Sequence, residues 1–193
     1  MWRSLGRWVS RRGPRVDPGE EAFGYAGAVS SFIYAMLAIS LIEIPAVHFL
    51  LPWRTARLIL LPIGVFGLVS LLGMVAALKV NPHTLGPAGL RLRHGTGFAL
   101  PLVAWRDIVA IRTRLHCPSG RGVHIENLDG RDVLAVEVGS QTNVEATLRR
   151  ATPVSLRRGT RDVEALRFWA DDATALVERA REHLADSKAS DDV

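Results

Sequence analysis

The sequence predicts a two-helix transmembrane hairpin followed by a mainly antiparallel β domain, a sandwich or barrel closed by a C-terminal helix. Two long apolar stretches lie near the N-terminus, short alternating segments follow at about ten-residue spacing, and one amphipathic stretch comes last. We therefore divide the chain into a basic N-terminal segment at residues 1–21, the hairpin at 22–80, the β domain at 82–186 and a disordered tail at 187–193.

The two apolar stretches are each long enough for a helix to cross a bilayer. Residues 22–53 contain Glu43 as their only charged residue, and residues 58–78 contain none. Because a spanning helix needs about 20 predominantly apolar residues, we place the helices at about residues 28–51 and 58–79. The alternative is a pair of core helices in a globular protein, but such helices rarely stay apolar on every face for so long.

The short link at residues 51–57 forces the two predicted helices to run antiparallel. Five arginines precede the first helix, whereas only Arg54 and Arg57 lie in the link. Since positively charged loops stay on the cytoplasmic side, we predict a multi-pass protein of the cell membrane with both termini cytoplasmic. Trp2 and Trp8 lie among the N-terminal arginines, so this segment is either a short helix on the anionic leaflet or a solvated tail.

Glu43 and His48 form a candidate polar site inside the first predicted span. A charged residue at the centre of a span costs at least ~2.5 kcal/mol and is a functional hypothesis by default. Three interpretations remain open. Glu43 is protonated and bonds Ser70 of the other helix as a packing clamp, or Glu43 and His48 hold a proton or metal across the kink at Pro45, or the span begins nearer Tyr25 and leaves both residues near the interface.

Small residues in the second predicted helix favour close contact with another helix. Gly67, Ser70 and Gly73 are spaced by three residues, as in transmembrane helices that approach each other closely. The neighbour is either the first helix or a second copy of the chain, so a homo-oligomer is one expectation. The alternative is that these residues face lipid.

The region after Lys79 has the alternating pattern of short antiparallel strands. Asp129-Gly130 favours a hairpin turn between two of them. The predicted strands are His83–Leu85, Leu90–Arg93, Gly97–Pro101, Ile108–Arg112, Gly122–Glu126, Val133–Val138, Asn143–Leu148 and Val163–Phe168. A final helix is predicted from a single apolar stripe. The stripe consists of Ala173, Leu176, Val177, Ala180 and Leu184.

Three short motifs carry a resemblance to a known family. Gly89–Arg93 matches a G-L-x-(I/L/V)-R strand, Leu100-Pro101 ends the next strand, and Trp105–Ile108 matches W-x-D-I. This rhythm resembles the bacterial pleckstrin-homology-like domains. Together with the hairpin, it is similar to uncharacterised bacterial two-span membrane proteins over most of residues 30–185. The resemblance implies a fold and a membrane setting, with no established activity. Arg114–Arg121 departs from the pattern as a longer predicted loop.

The sequence carries no recognised catalytic or cofactor motif. Phosphate-binding glycine loops and the G-x-S-x-G elbow are absent, and Cys117 is the only cysteine. His116 and His124 lie near it without a recognised ligand spacing. We therefore expect no enzyme activity, cofactor or metal. The net charge of +5 is spread along the chain and does not predict nucleic-acid binding.

One basic cluster could contact the membrane. It consists of Arg149, Arg150, Arg157, Arg158 and Arg161. If these side chains share a membrane-facing edge they would bind anionic lipid headgroups, at about 1 kcal/mol each. The alternative is a solvated set of strand ends.

Two hypotheses for function follow from these features. The first is a membrane-anchored, non-enzymatic interaction module that presents the β domain at the cytoplasmic face to an unidentified protein or to lipid headgroups. The second is a small transport or proton-linked membrane component that uses Glu43 and His48.

Overall fold

A computed structural model describes residues 2–10, 16–95, 98–156 and 159–191 of the 193-residue chain. Its α-helices are α1 (Trp2–Val9), α2 (Gly27–Leu50), α3 (Arg54–Val80) and α4 (Ala173–Asp191). Its strands are β1 (Glu21–Phe23), β2 (His83–Gly86), β3 (Gly89–Arg91), β4 (Arg93–His94), β5 (Phe98–Ala99), β6 (Val103–Ala104), β7 (Ile108–His116), β8 (Val123–Leu128), β9 (Arg131–Val136), β10 (Thr142–Leu156) and β11 (Gly159–Phe168).

Helices α2 and α3 form the predicted antiparallel pair and are long and apolar enough to cross a membrane. Their 24 and 27 residues span about 36 and about 40 Å at 1.5 Å per residue, more than the ~30 Å hydrocarbon core. Only 6% and 11% of their most apolar windows are buried in the fold. The helices therefore do not form the core of the β domain. Pro45 and Pro62 lie inside them without ending either helix.

The second long helix begins earlier than predicted, at Arg54 rather than residue 58. No glycine or proline lies between Trp53 and Arg57, so nothing in the sequence prevents this turn from being helical. The backbone N–H of Arg57 donates to the Trp53 carbonyl at 3.1 Å, and its guanidinium Nη1 donates to the His48 carbonyl at 3.1 Å. The link is thus reduced to three residues.

The β domain is mainly antiparallel, as predicted. One sheet has the order β7-β10-β11-β9-β8, in which only β11 and β9 pair in parallel. A second has the order β1-β2-β3-β6, and β4 pairs with β5 separately. The sheets do not form a closed barrel within the described residues. The coarse prediction of two apolar helices, antiparallel sheet and C-terminal helix is confirmed.

The core lies between the five-stranded sheet, the four-stranded sheet and α4. Leu176, Val177, Ala180 and Leu184 of the predicted stripe are buried there. Trp105 is also buried: its indole stacks on His183 at 5.3 Å, and its Nε1 donates to the Gly86 carbonyl at 2.8 Å.

The predicted disordered tail is wrong for residues 187–191, because α4 continues to Asp191. No glycine or proline follows Leu184, so the sequence contains no residue that would stop the helix. The predicted loop at Arg114–Arg121 is also wrong at its start. Strand β7 runs to His116 because Thr142 of β10 pairs with His116.

Strand β1 adds residues outside the predicted bounds of the domain, and strand β10 is longer than predicted. Strand β1 lies before the helical hairpin, yet it pairs with β2, and Glu21 accepts a hydrogen bond from Arg179 of α4 at 2.8 Å. Strand β10 is 15 residues long because a bulge between Thr147 and Thr152 lets it continue past the predicted end at Leu148. The domain is therefore assembled from both sides of the hairpin.

Candidate functional site

The two ends of the helical hairpin meet inside the β domain. Tyr25 lies just before α2 and is fully buried, and His83 lies just after α3 and is also fully buried. Their rings stack with centroids 4.6 Å apart, and the ring of His94 also stacks with Tyr25 at 6.0 Å. The contact between Tyr25 and His83 therefore fixes where the chain leaves the domain and where it returns.

Burial keeps His83 and Tyr25 neutral, and hydrogen bonds fix the positions of their rings. The Nε2 of His83 lies 3.0 Å from the Trp169 carbonyl, and its Nδ1 accepts from the backbone N–H of Arg93 at 3.2 Å. A carbonyl can only accept, so the proton is on Nε2. Burial lowers the pKa of His83 to about 3. Burial also raises the pKa of Tyr25 to about 12, and its hydroxyl accepts from Gly95 N–H at 2.8 Å.

Asp171, in the turn before α4, attaches the start of α2 to the domain. Its Oδ1 accepts from the backbone N–H of Gly27 at 2.7 Å, and its own N–H donates to the Gly24 carbonyl at 2.8 Å. A Cβ at Gly27 would lie 2.7 Å from that carboxylate oxygen, and one at Gly24 would lie 2.9 Å from the other. The contact therefore requires glycine at both positions, a requirement that no periodic pattern in the sequence reveals.

The structure does not bring Glu43 and His48 together. Glu43 lines a cavity of about 280 Å³ between α2 and α3, beside Ser40 and Gly64. His48 is not part of that lining, and its ring lies edge-on to Phe49 at 5.1 Å. Glu43 lies seven residues, or about 10 Å, from the C-terminal end of α2.

The proposed clamp between Glu43 and Ser70 is not formed in the described structure. Ser70 lines the neighbouring cavity of about 610 Å³, which shares Ser40 and Gly67 with the cavity that contains Glu43. Gly64 lies at the contact between the two helices, because a Cβ placed on it would lie 3.3 Å from Ile44 of α2. Gly67 is exposed, and a Cβ placed on it would meet no atom within 4 Å.

A basic groove of about 700 Å³ lies on the five-stranded sheet, and we call it the arginine groove. Its arginines are Arg112, Arg114, Arg131, Arg149, Arg150 and Arg167. Side chains alternate between the two faces of a strand. Ala146 and Leu166 are buried in the core beneath α4, so their neighbours Glu145 and Arg167 point to the opposite face. The groove therefore lies on the face away from α4.

Glu145 is the charged centre of the arginine groove. It pairs across the sheet with Arg112 of β7 on one side and Arg167 of β11 on the other. Its carboxylate accepts from Nε of Arg112 at 3.1 Å and from Nε of Arg167 at 2.8 Å, and Arg114 Nη1 lies 3.5 Å away. Burial alone would raise the pKa of Glu145, but the hydrogen bonds from Arg112 and Arg167 outweigh it and lower the pKa.

Arg167 connects Glu145 to a second buried carboxylate beneath the groove. Its side chain is 10% exposed, and the buried Nη1 makes no hydrogen bond within the described part of the chain. This Nη1 forms a long ion pair with Oε1 of Glu126 at 3.7 Å, and the same oxygen lies 3.3 Å from Nε2 of His116. The charge of Arg167 is therefore shared between Glu145 and Glu126.

The structure separates the basic cluster that the sequence predicted. Arg149 and Arg150 line the arginine groove, and Nε of Arg149 donates to the Arg106 carbonyl at 3.1 Å. Arg161 instead lines another cavity, of about 1090 Å³, and its Nη1 lies 3.9 Å from Asp132. The other two predicted contacts, Arg157 and Arg158, lie outside the described residues.

Four of the groove arginines were missed because the sheet register, rather than sequence proximity, brings them together. They are Arg112, Arg114, Arg131 and Arg167. Only the alternation Ile111-Arg112-Thr113-Arg114 gave a local signal, since it places two arginines on one face of a strand.

Comparison with known proteins assigns no family to this fold or to the arginine groove. No protein-family model, curated protein or solved structure matches the chain significantly. Within the described residues, no group of three or more His, Cys, Asp or Glu side chains could hold a metal ion.

Proposed function

We propose that this protein is a membrane-anchored, non-enzymatic interaction module. In this proposal α2 and α3 cross the cell membrane and hold a pleckstrin-homology-like domain at the cytoplasmic face. The observation that carries the proposal is the buried stack of Tyr25 on His83. Because the residues flanking the two helices pack inside the domain, the domain is held at the end of the hairpin and is not tethered by a flexible linker.

The exposed surface of the hairpin supports a lipid environment. Several of its large apolar side chains are between 63% and 81% exposed. They include Phe32, Ile42, Phe49, Leu58 and Phe66. An apolar surface of this extent is unfavourable in water and is satisfied by lipid chains. Trp53 in the short link is 71% exposed, as suits an aromatic ring at the membrane interface.

Helix α1 supports a cytoplasmic placement of the domain. It lies against α3, and Ser4 is buried whereas Trp8 and Val9 are exposed. The buried residues of α3 lie between Gly73 and Val80, at its domain end. A short basic helix at this position suits the anionic inner leaflet, which also agrees with the excess of arginine before α2.

The order of elements in the domain supports the pleckstrin-homology-like assignment. Antiparallel strands come first and a single helix that packs on them comes last. The tryptophan of the W-x-D-I motif, Trp105, is a buried anchor between the Gly86 carbonyl and α4.

Crosslinking in intact membranes tests the interaction module directly. The full chain is expressed with an affinity tag, crosslinked, solubilised and purified, and co-purifying species are identified by mass spectrometry. A double substitution Gly24→Val/Gly27→Val serves as the comparison, because it removes the contact with Asp171 while keeping both apolar helices. We expect a specific protein that is recovered with the natural chain and lost with the variant. Recovery of the same proteins from both chains would contradict the proposal.

A further inference from the structure

The arginine groove carries more positive charge than its own carboxylates neutralise. Six arginines line it, against Asp129, Glu145 and Glu164 in the lining and Glu126 in an ion pair with Arg167, which leaves a surplus of two positive charges. Glu145 is shared by three of the arginines, and Glu164 lies 3.9 Å from Arg131. Arg149 and Arg150 have no carboxylate within ion-pair distance in the described part of the chain. These two guanidinium groups are therefore available to a ligand.

Several of the groove arginines are held in place before any ligand arrives. Glu145 fixes Arg112 and Arg167 from two neighbouring strands, and the Arg106 carbonyl fixes Nε of Arg149 at 3.1 Å. Side chains that are already ordered lose less conformational entropy on binding.

The size and chemistry of the groove select among anions. Its volume of about 700 Å³ lies within the ~300–1,000 Å³ range of small-molecule sites. Guanidinium groups bind phosphate through two parallel hydrogen bonds, and a phosphomonoester carries up to two negative charges. The surplus of two charges matches such a group better than it matches a single carboxylate. The largely polar lining does not suit an acyl chain.

We propose that the arginine groove binds a small phosphomonoester or pyrophosphate group, with Arg149 and Arg150 as direct contacts. This inference deepens the proposed function, because it names a ligand class for the interaction module and rests on the domain that the module presents. The phosphate belongs either to a free phosphorylated compound or to a phosphorylated lipid headgroup, which share this chemistry.

Binding of inorganic pyrophosphate to the full chain tests the proposal. The protein is placed in phosphatidylcholine nanodiscs and titrated by calorimetry. We expect saturable binding that Arg149→Gln/Arg150→Gln weakens about tenfold or more, which is a loss of ~1.4 kcal/mol or more, because both guanidinium donors to the phosphate are removed. Arg121→Gln/Arg161→Gln is the matched control, because it removes the same charge from the lining of a different cavity. It should change affinity less than about twofold.

Equal losses in the two double variants, or no saturable binding by the natural chain, would overturn the proposal. Unchanged thermal unfolding of both variants confirms that the fold is intact. Nanodiscs with equal parts phosphatidic acid and phosphatidylcholine then identify the source. If phosphatidic acid competes with pyrophosphate for the groove, the source of the phosphate is a lipid headgroup. If it does not compete, the source is a free phosphorylated compound. Both results agree with the phosphate site. Partner recovery by crosslinking is measured independently. A failure to bind pyrophosphate would therefore contradict the phosphate site without contradicting the membrane module.

Discussion

His83 and Glu145 are both buried ionisable side chains, and their immediate partners give them opposite charge states. His83 is surrounded by aromatic rings and bonds a carbonyl and an N–H, so burial dominates and it stays neutral. Glu145 receives hydrogen bonds from two arginines, so it stays ionised despite its burial. Desolvation and the neighbouring charges decide the charge state of each side chain. Both effects come from residues that lie far away in the sequence.

Replacement of His83 by phenylalanine tests the neutral stack. His83→Phe keeps an aromatic ring beside Tyr25 but removes the hydrogen bonds to Arg93 N–H and the Trp169 carbonyl. Each unsatisfied buried group costs about 1–3 kcal/mol, so we expect the free energy of unfolding to fall by about 2–4 kcal/mol. Denaturant titration monitored by tryptophan fluorescence measures it. His48→Phe, at an exposed position on α2, is the control, and an equal effect of both substitutions would contradict the assigned bonds.

Acidification tests the charged centre of the arginine groove. The pKa of Glu145 is lowered in the folded state, so its contribution to stability is present above the unfolded-state pKa of about 4.3 and is lost as the pH falls through the folded-state pKa. We expect Glu145→Gln to lower stability at neutral pH and to flatten the acid side of the stability profile. Unfolding measured at several pH values shows this. Glu164→Gln, whose ion pair is long and exposed, should leave the acid slope unchanged.

At the scale of secondary-structure elements, the sequence predicted what depends on local periodicity. The two apolar helices, the α4 stripe and most strand positions were correct, because hydrophobic period and turn residues decide them. Strand β1 was missed since its three residues have no measurable period, and pairing with β2 across the hairpin makes them a strand. The extension of β10 past Leu148 was missed because it depends on a bulge in its pairing with β11. In the candidate site, Arg149 and Arg150 could be predicted from local charge density, whereas the arginines on other strands depend on register.

Substitution of Glu43 tests the role of the polar position in α2. The structure places Glu43 beside Ser40 and Gly64 and apart from His48. We expect Glu43→Gln to leave the membrane level of the protein and its thermal unfolding unchanged, because an amide keeps the shape and hydrogen bonding of the carboxyl group. Glu43→Lys should reduce the membrane level, since a lysine at the centre of a span costs ~2.5–3.5 kcal/mol. Quantitative immunoblotting of membranes measures both.

A transport role for Glu43 and His48 predicts a different pattern. In that case Glu43→Gln and His48→Gln would each abolish the same proton-linked phenotype while protein levels stay constant. That outcome would contradict the structural separation of the two side chains.

At the scale of the whole molecule, the hairpin is inserted into the domain, and the domain does not simply follow it. Strand β1 lies before α2 and strand β2 follows α3, yet they are neighbours in one sheet. Asp171 bonds the residues around the start of α2, and a Cβ placed on Gly139 of the domain would lie 3.5 Å from Ala28 of that helix. The start of α2 is therefore attached directly to the domain that carries the arginine groove.

The central claim is that the hairpin crosses the membrane and holds the domain at its cytoplasmic face. Cys117 tests it most directly, because it is the only cysteine and is exposed on the domain. Spheroplasts are treated with a membrane-impermeant maleimide before or after lysis. A second chain carries Cys117→Ser with Trp53→Cys, which moves the thiol to the exposed link between the helices. We predict that Cys117 is labelled only after lysis and that the Trp53→Cys chain is labelled in intact spheroplasts. Labelling of Cys117 in intact spheroplasts, or identical labelling of the two chains, would contradict the account.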